Sequence, residues 1–342
     1  MQHHVRSIVE LDCGREVFDG EANGKNLENL GMAGSEESVL ITGAGGVIDH
    51  ALKQELADSG YSNVVAITSS DIDLRDQSAT EKMFDELRPT IVFHMAARVY
   101  GIMGNMSNRG IAYLDNVRIN TNVVEAARQT GCKKFVAMGS TAIYSDQVRL
   151  PMSEEQIWVG APHHSEAPYA HSKRGMLAQL EAYKDQYGMD YAFCVSTNLF
   201  GPHDKFDEKF GHVIPSLVSK FYRASVLGQP ISVWGSGKAE RDFLFSGDAA
   251  YALRLIAENH TGAINLATGQ SHTIRHTVDT LCQISGFSGS VEWDATKPDG
   301  QKLRAYDISR LTALGFKPRF SFDEALAITY DWYCKNVASA RK

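Results

Sequence analysis

From residue 38 onward the chain alternates short apolar runs with longer stretches of helical periodicity, and this alternation limits the available folds more than any other feature. "SVLITGAGG" reads as a strand entering a turn, "VIDHALKQELADSG" as a helix and "NVVAITSS" as the next strand. "SATEKMFDELR" is a helix closed by Pro89, followed by the strand "TIVFHMAA". A helix through "YLDNVRINTNVVEAARQTG" ends at Gly131, before the strand "KKFVAMGST"; later come the helix "SKRGMLAQLEAYKDQYG" and the strand "DYAFCVSTNLFG". Strands joined through helices make right-handed crossovers, so the expected class is α/β, with a doubly wound parallel sheet covered on both faces. Ligands of such sheets bind beyond the carboxyl ends of the strands, which directs attention to the loops at 43–49, 96–105, 139–145 and 197–212.

The first of these loops, "GAGGVID", has the beginnings of a phosphate cradle. Glycines at 43 and 46 permit a tight turn and a close backbone approach to a pyrophosphate, whose charge is favoured at a helix N-terminus. The third glycine of such a pattern would stand at 49, where this chain has Asp49. A carboxylate facing a pyrophosphate costs roughly 1 to 4 kcal/mol at contact distance, and less if it points to solvent. A plain strand–helix turn competes with this reading, but the loop's place on the first strand of the alternation favours a Rossmann-type dinucleotide site. Gly43, Gly45, Gly46, Val47 and Ile48 are its expected cradle, with Ala96 and Ala97 on the next ligand-facing loop. At the end of the second strand, where an acid would hold a ribose 2′-hydroxyl, the chain has Thr68, Ser69 and Ser70. The missing acid points to NADP(H), although no arginine stands beside it; Asp73 and Leu74, slightly later, are expected near the adenine.

"YAHSK" is the stronger signal. Tyr169 and Lys173 are one helical turn apart and share a face. A phenol titrating near 10 is a poor acid–base catalyst at neutral pH unless cations lower that value, which a neighbouring ammonium together with a positively charged nicotinamide would do. Ser140, ending a strand on the ligand edge, supplies a third group to orient a carbonyl. A Tyr-x-x-x-Lys spacing alone arises by chance on many helices; after a glycine loop and a strand-end serine it carries weight.

With these residues in view the chain resembles the extended short-chain dehydrogenase/reductases, and among them the GDP-L-fucose synthases, which are GDP-4-keto-6-deoxy-mannose 3,5-epimerase-reductases. The similarity runs from about residue 38 to the end, and its most specific stretches are "NLFGPHDKFDEKFGHVIPSLVSKF", "VWGSGKAERDFLF" and "WDATKPDGQKLR". The resemblance implies a catalytic triad of Ser140, Tyr169 and Lys173, with Lys173 also touching the cofactor. Thr197, Asn198 and Leu199 fall beside the nicotinamide, with Ser196 where the family has proline. Asn198, Lys220, Trp234, Arg241, Asp299 and Arg304 fall on the GDP-sugar: cations for a diphosphate and an indole as an apolar wall. In the family a cysteine and a histidine move protons at C3 and C5 of the sugar. His212 is in the histidine's place, but the cysteine's position holds Ala142, whose methyl group cannot carry a proton.

The resemblance also implies a GDP-linked keto-deoxy-sugar as substrate and a homodimer formed through the helix containing "NVRINTNVVEAARQ" and the one bearing Tyr169. The expected organisation is an extension over 1–37, an NADP-binding domain over 38–200 and about 240–268, and a smaller mixed α/β substrate lobe over about 201–239 and 269–342. A net charge of −7 argues against nucleic acid or an anionic membrane as the main partner. The five scattered cysteines, with no C-x-x-C pair, read as reduced thiols of a cytoplasmic protein and not as a metal site. Three functions remain open at this level: a complete epimerase-reductase, a C4-reductase without epimerase activity, and a nucleotide-sugar-binding protein that has lost turnover.

Overall fold

In the main sheet the strands run in the order β10-β5-β4-β3-β1-β2 and every pairing is parallel. These are β1 (Ser38–Thr42), β2 (Asn63–Ile67), β3 (Ile91–His94), β4 (Lys134–Met138), β5 (Tyr191–Ser196) and β10 (Gly262–Leu266). The computed structural model describes residues 37–99, 107–208, 211–297 and 303–342. Every residue of β3, β4 and β5 is buried, as continuous apolar strands between two helical layers should be. One layer holds α1 (Asp49–Asp58) against α6 (Ser246–Asn259); the other holds α2 (Gln77–Leu87), α3 (Arg109–Gln129) and α4 (Ala167–Tyr187), with α3 against both neighbours.

The connections place the site. From β1 the chain steps outward to β2, then returns to the opposite side of β1 with β3, so the order reverses at the carboxyl end of β1. That reversal opens the crevice in which open parallel sheets bind ligands. The glycine loop closes it on one side, and the ends of β4 and β5 lie beyond.

The stretch expected to be one strand at 191–200 is two. After Ser196 the Thr197 N–H turns to the Leu266 carbonyl at 3.1 Å and the Thr197 hydroxyl to the Asp242 carbonyl at 2.9 Å. The chain is thereby directed into β6 (Asn198–Phe200), which leaves the main sheet to pair with β9 (Phe243–Phe245). Apolar content alone does not reveal such a break, because both pieces are apolar.

A second core lies beyond it, built on Phe200, Phe206, Phe221, Leu326 and Tyr333. Around it stand α5 (Val213–Leu227), α7 (Ile274–Ser285) and α9 (Phe322–Asn336), with β7 (Ile231–Trp234) paired to β12 (Val291–Asp294). Two short strands, β8 (Glu240–Arg241) and β11 (His272–Thr273), pair nearby, and the single-turn α8 (Ser309–Ala313) packs on β10. Helix α9 begins with a reciprocal capping box between Ser321 and Glu324, which satisfies two of its free N-terminal amides. Among the described residues no helix is long and apolar enough to cross a membrane.

Candidate active site

The glycine loop has the shape of a dinucleotide cradle. Gly43 has φ of +79°, and a Cβ there would lie 2.6 Å from the backbone of Ala96, so only glycine lets the turn close against the loop after β3. The Ala44 N–H bonds the Ile67 carbonyl at 2.8 Å and seats the turn over the end of β2. Gly45 is exposed and Gly46, Val47, Ala96 and Ala97 are half-buried, whereas Ile48 is buried in the packing of α1. These features fit a dinucleotide.

Asp49 complicates the fit in a way the sequence left undecided. Its carboxylate is buried rather than turned to solvent. Oδ2 accepts the Gly45 N–H at 3.1 Å and pairs with the Lys53 ammonium at 3.0 Å, while Oδ1 is buried with no hydrogen-bond partner. An anion already occupies part of the cradle, and it belongs to the protein.

At the end of β2, Asp71 folds back on Thr68, accepting from its N–H and its hydroxyl, both at 2.7 Å, which holds the carboxyl below its usual range. Asp73 pairs with Arg75 at 2.7 Å, and that hydrogen bond draws its carboxyl down to about 2. Leu74 is buried in the main core, and its carbonyl accepts from Thr80 and Asn122, which ties the loop after β2 to α2 and α3.

The residues suited to acid–base chemistry meet at the ends of β4 and α4. Ser140 follows β4, and its hydroxyl accepts the Ala142 N–H at 3.2 Å, capping a short 3-10 turn over Thr141–Ile143. Tyr169 lies in the first turn of α4, half-buried, with the Lys173 ammonium 5.9 Å from its ring centre. Burial pushes the phenol above its usual value, the Glu166 carboxylate adds to this, and a hydrogen bond with Ser140 opposes them. The Lys173 ammonium is buried, donates to the Met138 carbonyl at 2.8 Å, and is pushed down to about 7 by desolvation.

Beneath these lies a polar chain that periodicity did not reveal. The Thr42 hydroxyl meets His94 Nδ1 at 2.8 Å, His94 Nε2 meets Asn120 Oδ1 at 3.2 Å, and Asn120 Nδ2 donates to the Ser172 carbonyl at 3.3 Å. Burial first, and the nearby Lys173 charge second, push His94 down to about 3, so it is neutral. The chain ties β1, β3 and α3 to the turn of α4 that carries Lys173. Its signal in the sequence was the polar end of two otherwise apolar strands, at Thr42 and His94. Arg174 was likewise missed: it donates to the Ile143 carbonyl at 3.1 and 2.7 Å and to the Gly160 carbonyl at 2.8 Å, fixing the turn that holds Ala142. Ala142 is 5% exposed, with its methyl group in that packed turn.

His212 stands exposed at the N-cap of α5. Near it Asp204 is buried, with Oδ1 accepting the Lys205 N–H at 2.6 Å and Oδ2 unpartnered. Burial pushes this carboxyl up to about 6, against the pull of His212 and Arg341. Thr197 is buried, Leu199 half-buried, and the exposed Asn198 donates to the Asp242 carbonyl at 3.3 Å. Asp242 is itself buried and gathers Thr268 and Gly269 amides at 2.8 to 3.1 Å; desolvation nevertheless raises it to about 6.

Of the residues expected on a sugar nucleotide, two meet at β7. Lys220 donates to the Ser232 carbonyl at 3.2 Å, and Trp234 on the same strand is 59% exposed. Two more meet beside β8: Arg241 lies on that strand, and Leu303, next to Arg304, bridges to Glu240. Arg304 donates to the Thr141 carbonyl at 3.3 Å, bringing a guanidinium from the distant segment onto the turn between Ser140 and Ala142. Asp299 lies outside the described residues.

This glycine cradle at a switch point, with Tyr169, Lys173 and Ser140 gathered at the carboxyl end of β4, is the equipment of a dinucleotide-dependent sugar-modifying enzyme. The chain belongs to the NAD dependent epimerase/dehydratase family, which matches residues 39–267. It is 33% identical to GDP-L-fucose synthase 1 of Arabidopsis thaliana over 311 residues, covering 90% of this chain and 96% of the plant protein. Among solved structures, a GDP-L-fucose synthetase from Naegleria fowleri bound to NADP superposes with a TM-score of 0.84 at 30% identity, over 90% of this chain and 97% of that one. A GDP-mannoheptose C4 reductase from Campylobacter jejuni with NADP bound gives 0.76 at 27% identity, over 87% of this chain and 98% of that one.

Proposed function

We propose that the protein is an NADPH-dependent enzyme of the GDP-L-fucose synthase type, acting on a GDP-4-keto-6-deoxy-hexose. One observation carries this reading: Ser140, Tyr169 and Lys173 converge at the carboxyl end of β4, and Arg304 reaches the same turn from the segment expected to hold the sugar nucleotide. Gly43, Gly45, Gly46, Val47 and the N-terminus of α1 would hold the cofactor, whose contribution is a hydride for C4. Tyr169 gives its proton to the C4 oxygen, Ser140 donates a hydrogen bond to that oxygen, and the Lys173 ammonium lowers the cost of the phenolate left behind. The Lys173–Met138 bond fixes the ammonium below the phenol. Lys220, Arg241 and Arg304 neutralise the diphosphate, and Trp234 offers a flat apolar surface.

Epimerisation is the part the side chains support least. His212 is available on one side, but the buried methyl of Ala142 stands where the family's thiol would return a proton. That single residue favours a second reading, C4 reduction without inversion at C3 and C5. Incubation with GDP-4-keto-6-deoxy-mannose and NADPH, followed by identification of the product sugar, decides between them. A GDP-L-fucose product supports the complete reaction, a product reduced at C4 alone supports the second, and no NADPH oxidation refutes both.

In this reading residues 38–200 and about 240–268 carry the cofactor, and about 201–239 with 269–342 the nucleotide-sugar. The protein is cytoplasmic and a homodimer. Support for the dimer comes from α3 and α4, which frame a groove of about 780 Å³ lined by Tyr113, Trp158, Pro168 and His171. Trp158 and Tyr113 are 50% and 46% exposed there. Two copies packing these helices would cover that apolar surface.

A further inference from the structure

The glycine loop has a neighbour that comes from the far end of the sequence. After α9 the chain makes one more turn, with the Ser339 and Ala340 amides both donating to the Asn336 carbonyl, at 3.0 and 2.8 Å. The Arg341 carbonyl then accepts the Phe206 N–H at 2.8 Å. Phe206 is fully buried, its ring centre 4.5 Å from that of Tyr333 and 5.8 Å from that of Trp332 on α9. Arg341 therefore has an anchored backbone, set by a packed aromatic cluster. From that anchor its guanidinium donates to the Gly45 carbonyl, across 296 positions of sequence. Beside it the first turn of α1 meets the same 203–206 loop, where His50 and His203 stack with ring centres 3.6 Å apart.

The charges around this contact are unusual for a phosphate cradle. The loop has no basic side chain of its own, its third-glycine position contributes the Asp49 carboxylate, and the end of β2 offers Thr68, Ser69, Ser70 and Asp71. Arg341 is held by a neutral carbonyl, which uses one of the five donors of a guanidinium. Among the described residues, the buried carboxylate oxygens without a hydrogen-bond partner are Asp49 Oδ1 and Asp204 Oδ2, which belong to the segments on either side of it. A guanidinium fixed on the exposed residue of a glycine loop is suited to a phosphate, which it binds through paired, charge-assisted hydrogen bonds.

We propose that Arg341 is a cofactor-binding residue, taking a phosphate of the dinucleotide and offsetting the charge that Asp49 places in the cradle. The proposal rests on the dinucleotide-dependent reading above. The segment after α9 is then part of the cofactor site, adding from a distance a second cation to the Lys53 ammonium that pairs with Asp49.

Fluorescence titration of NADPH and NADH into the full chain tests it, with Arg341→Ala and Arg341→Lys compared with the unaltered protein and with Lys82→Ala, an exposed change on α2. Arg341→Ala should weaken NADPH binding about 10- to 100-fold, consistent with loss of a charge-assisted contact, and Arg341→Lys should recover part of that loss, because it keeps the charge without the fork. The difference should shrink as salt is raised. Equal losses for both dinucleotides place the contact on the pyrophosphate; a larger loss for NADPH places it on the 2′-phosphate. Melting without cofactor checks that each variant is folded. If the unaltered protein binds and Arg341→Ala binds equally well or more tightly, Arg341 is no phosphate ligand, while the functional reading stands. If the folded, unaltered protein binds neither dinucleotide, both readings fail.

Discussion

Replacing Asp49 by Asn should tighten cofactor binding while loosening the cofactor-free protein. The carboxylate is 5% exposed, held by the Gly45 N–H at 3.1 Å and by Lys53 at 3.0 Å. A pyrophosphate arriving at the same helix N-terminus would bring a second negative charge to about 5 Å, a repulsion of ~3 kcal/mol at an effective dielectric of about 20. Lys53 offsets part of it, leaving ~1–2 kcal/mol, or about 5- to 30-fold in dissociation constant. In the cofactor-free protein the same charge favours the first turn of α1, by about 1 kcal/mol for a group this enclosed. The Asn variant should therefore melt lower alone and bind NADPH more tightly. Fluorescence titration and thermal melting, on one preparation, read the two effects separately. A variant that melts lower yet binds with unchanged or weaker affinity would refute the reasoning, since the carboxylate would then be organising the cradle and not opposing its ligand.

Ala142→Cys, placing a thiol in the turn capped by Ser140, should accelerate solvent-deuterium exchange at C3 and C5 of the keto-sugar, by about 10²- to 10⁴-fold if a general acid–base group is what is missing; mass spectrometry of the recovered sugar reads it, and fast exchange by the unaltered protein would show that another group carries the proton. Lys173 titrates at about 7 in the fold and near 10.4 when unfolded, so the unfolded chain holds more protons between those values and stability should rise with pH across that window. Lys173→Met should flatten this rise in cofactor-free melting curves; a slope unchanged by the substitution would assign it elsewhere. Glu55 on α1 joins Arg254 at 2.9 Å and Arg319 at 2.8 Å, pairings that outweigh burial and hold its carboxyl below the usual range. Glu55→Gln should cost about 2 kcal/mol in denaturant unfolding, because it takes the anion from Arg319 and leaves Arg254 with Glu258 alone. Trp158→Asp should give a monomer in light scattering at micromolar concentration; a dimer unaffected by it would place the contact away from the α3–α4 groove.

Hydrophobic alternation determined the architecture. A run such as "FVAM", apolar without a break, is stable as a strand only between two covering layers, and the helices between such runs set the crossovers that make the sheet parallel. Local chemistry also placed Gly43 at the turn and set Tyr169 and Lys173 on one helical face, because a backbone angle and a 3.6-residue period are properties of neighbours in the chain. Contacts across long stretches of sequence were decided by tertiary structure. The break at Thr197 depends on a carbonyl 45 residues away, the neutral state of His94 on a pocket shared by three elements, and the enclosure of Asp49 on the packing of α1. The return of Arg341 to Gly45 required the second core, whose aromatic packing fixes where its backbone stands, and the return of Arg304 to Thr141 required the pairing of Tyr306 with Met152 in the main core.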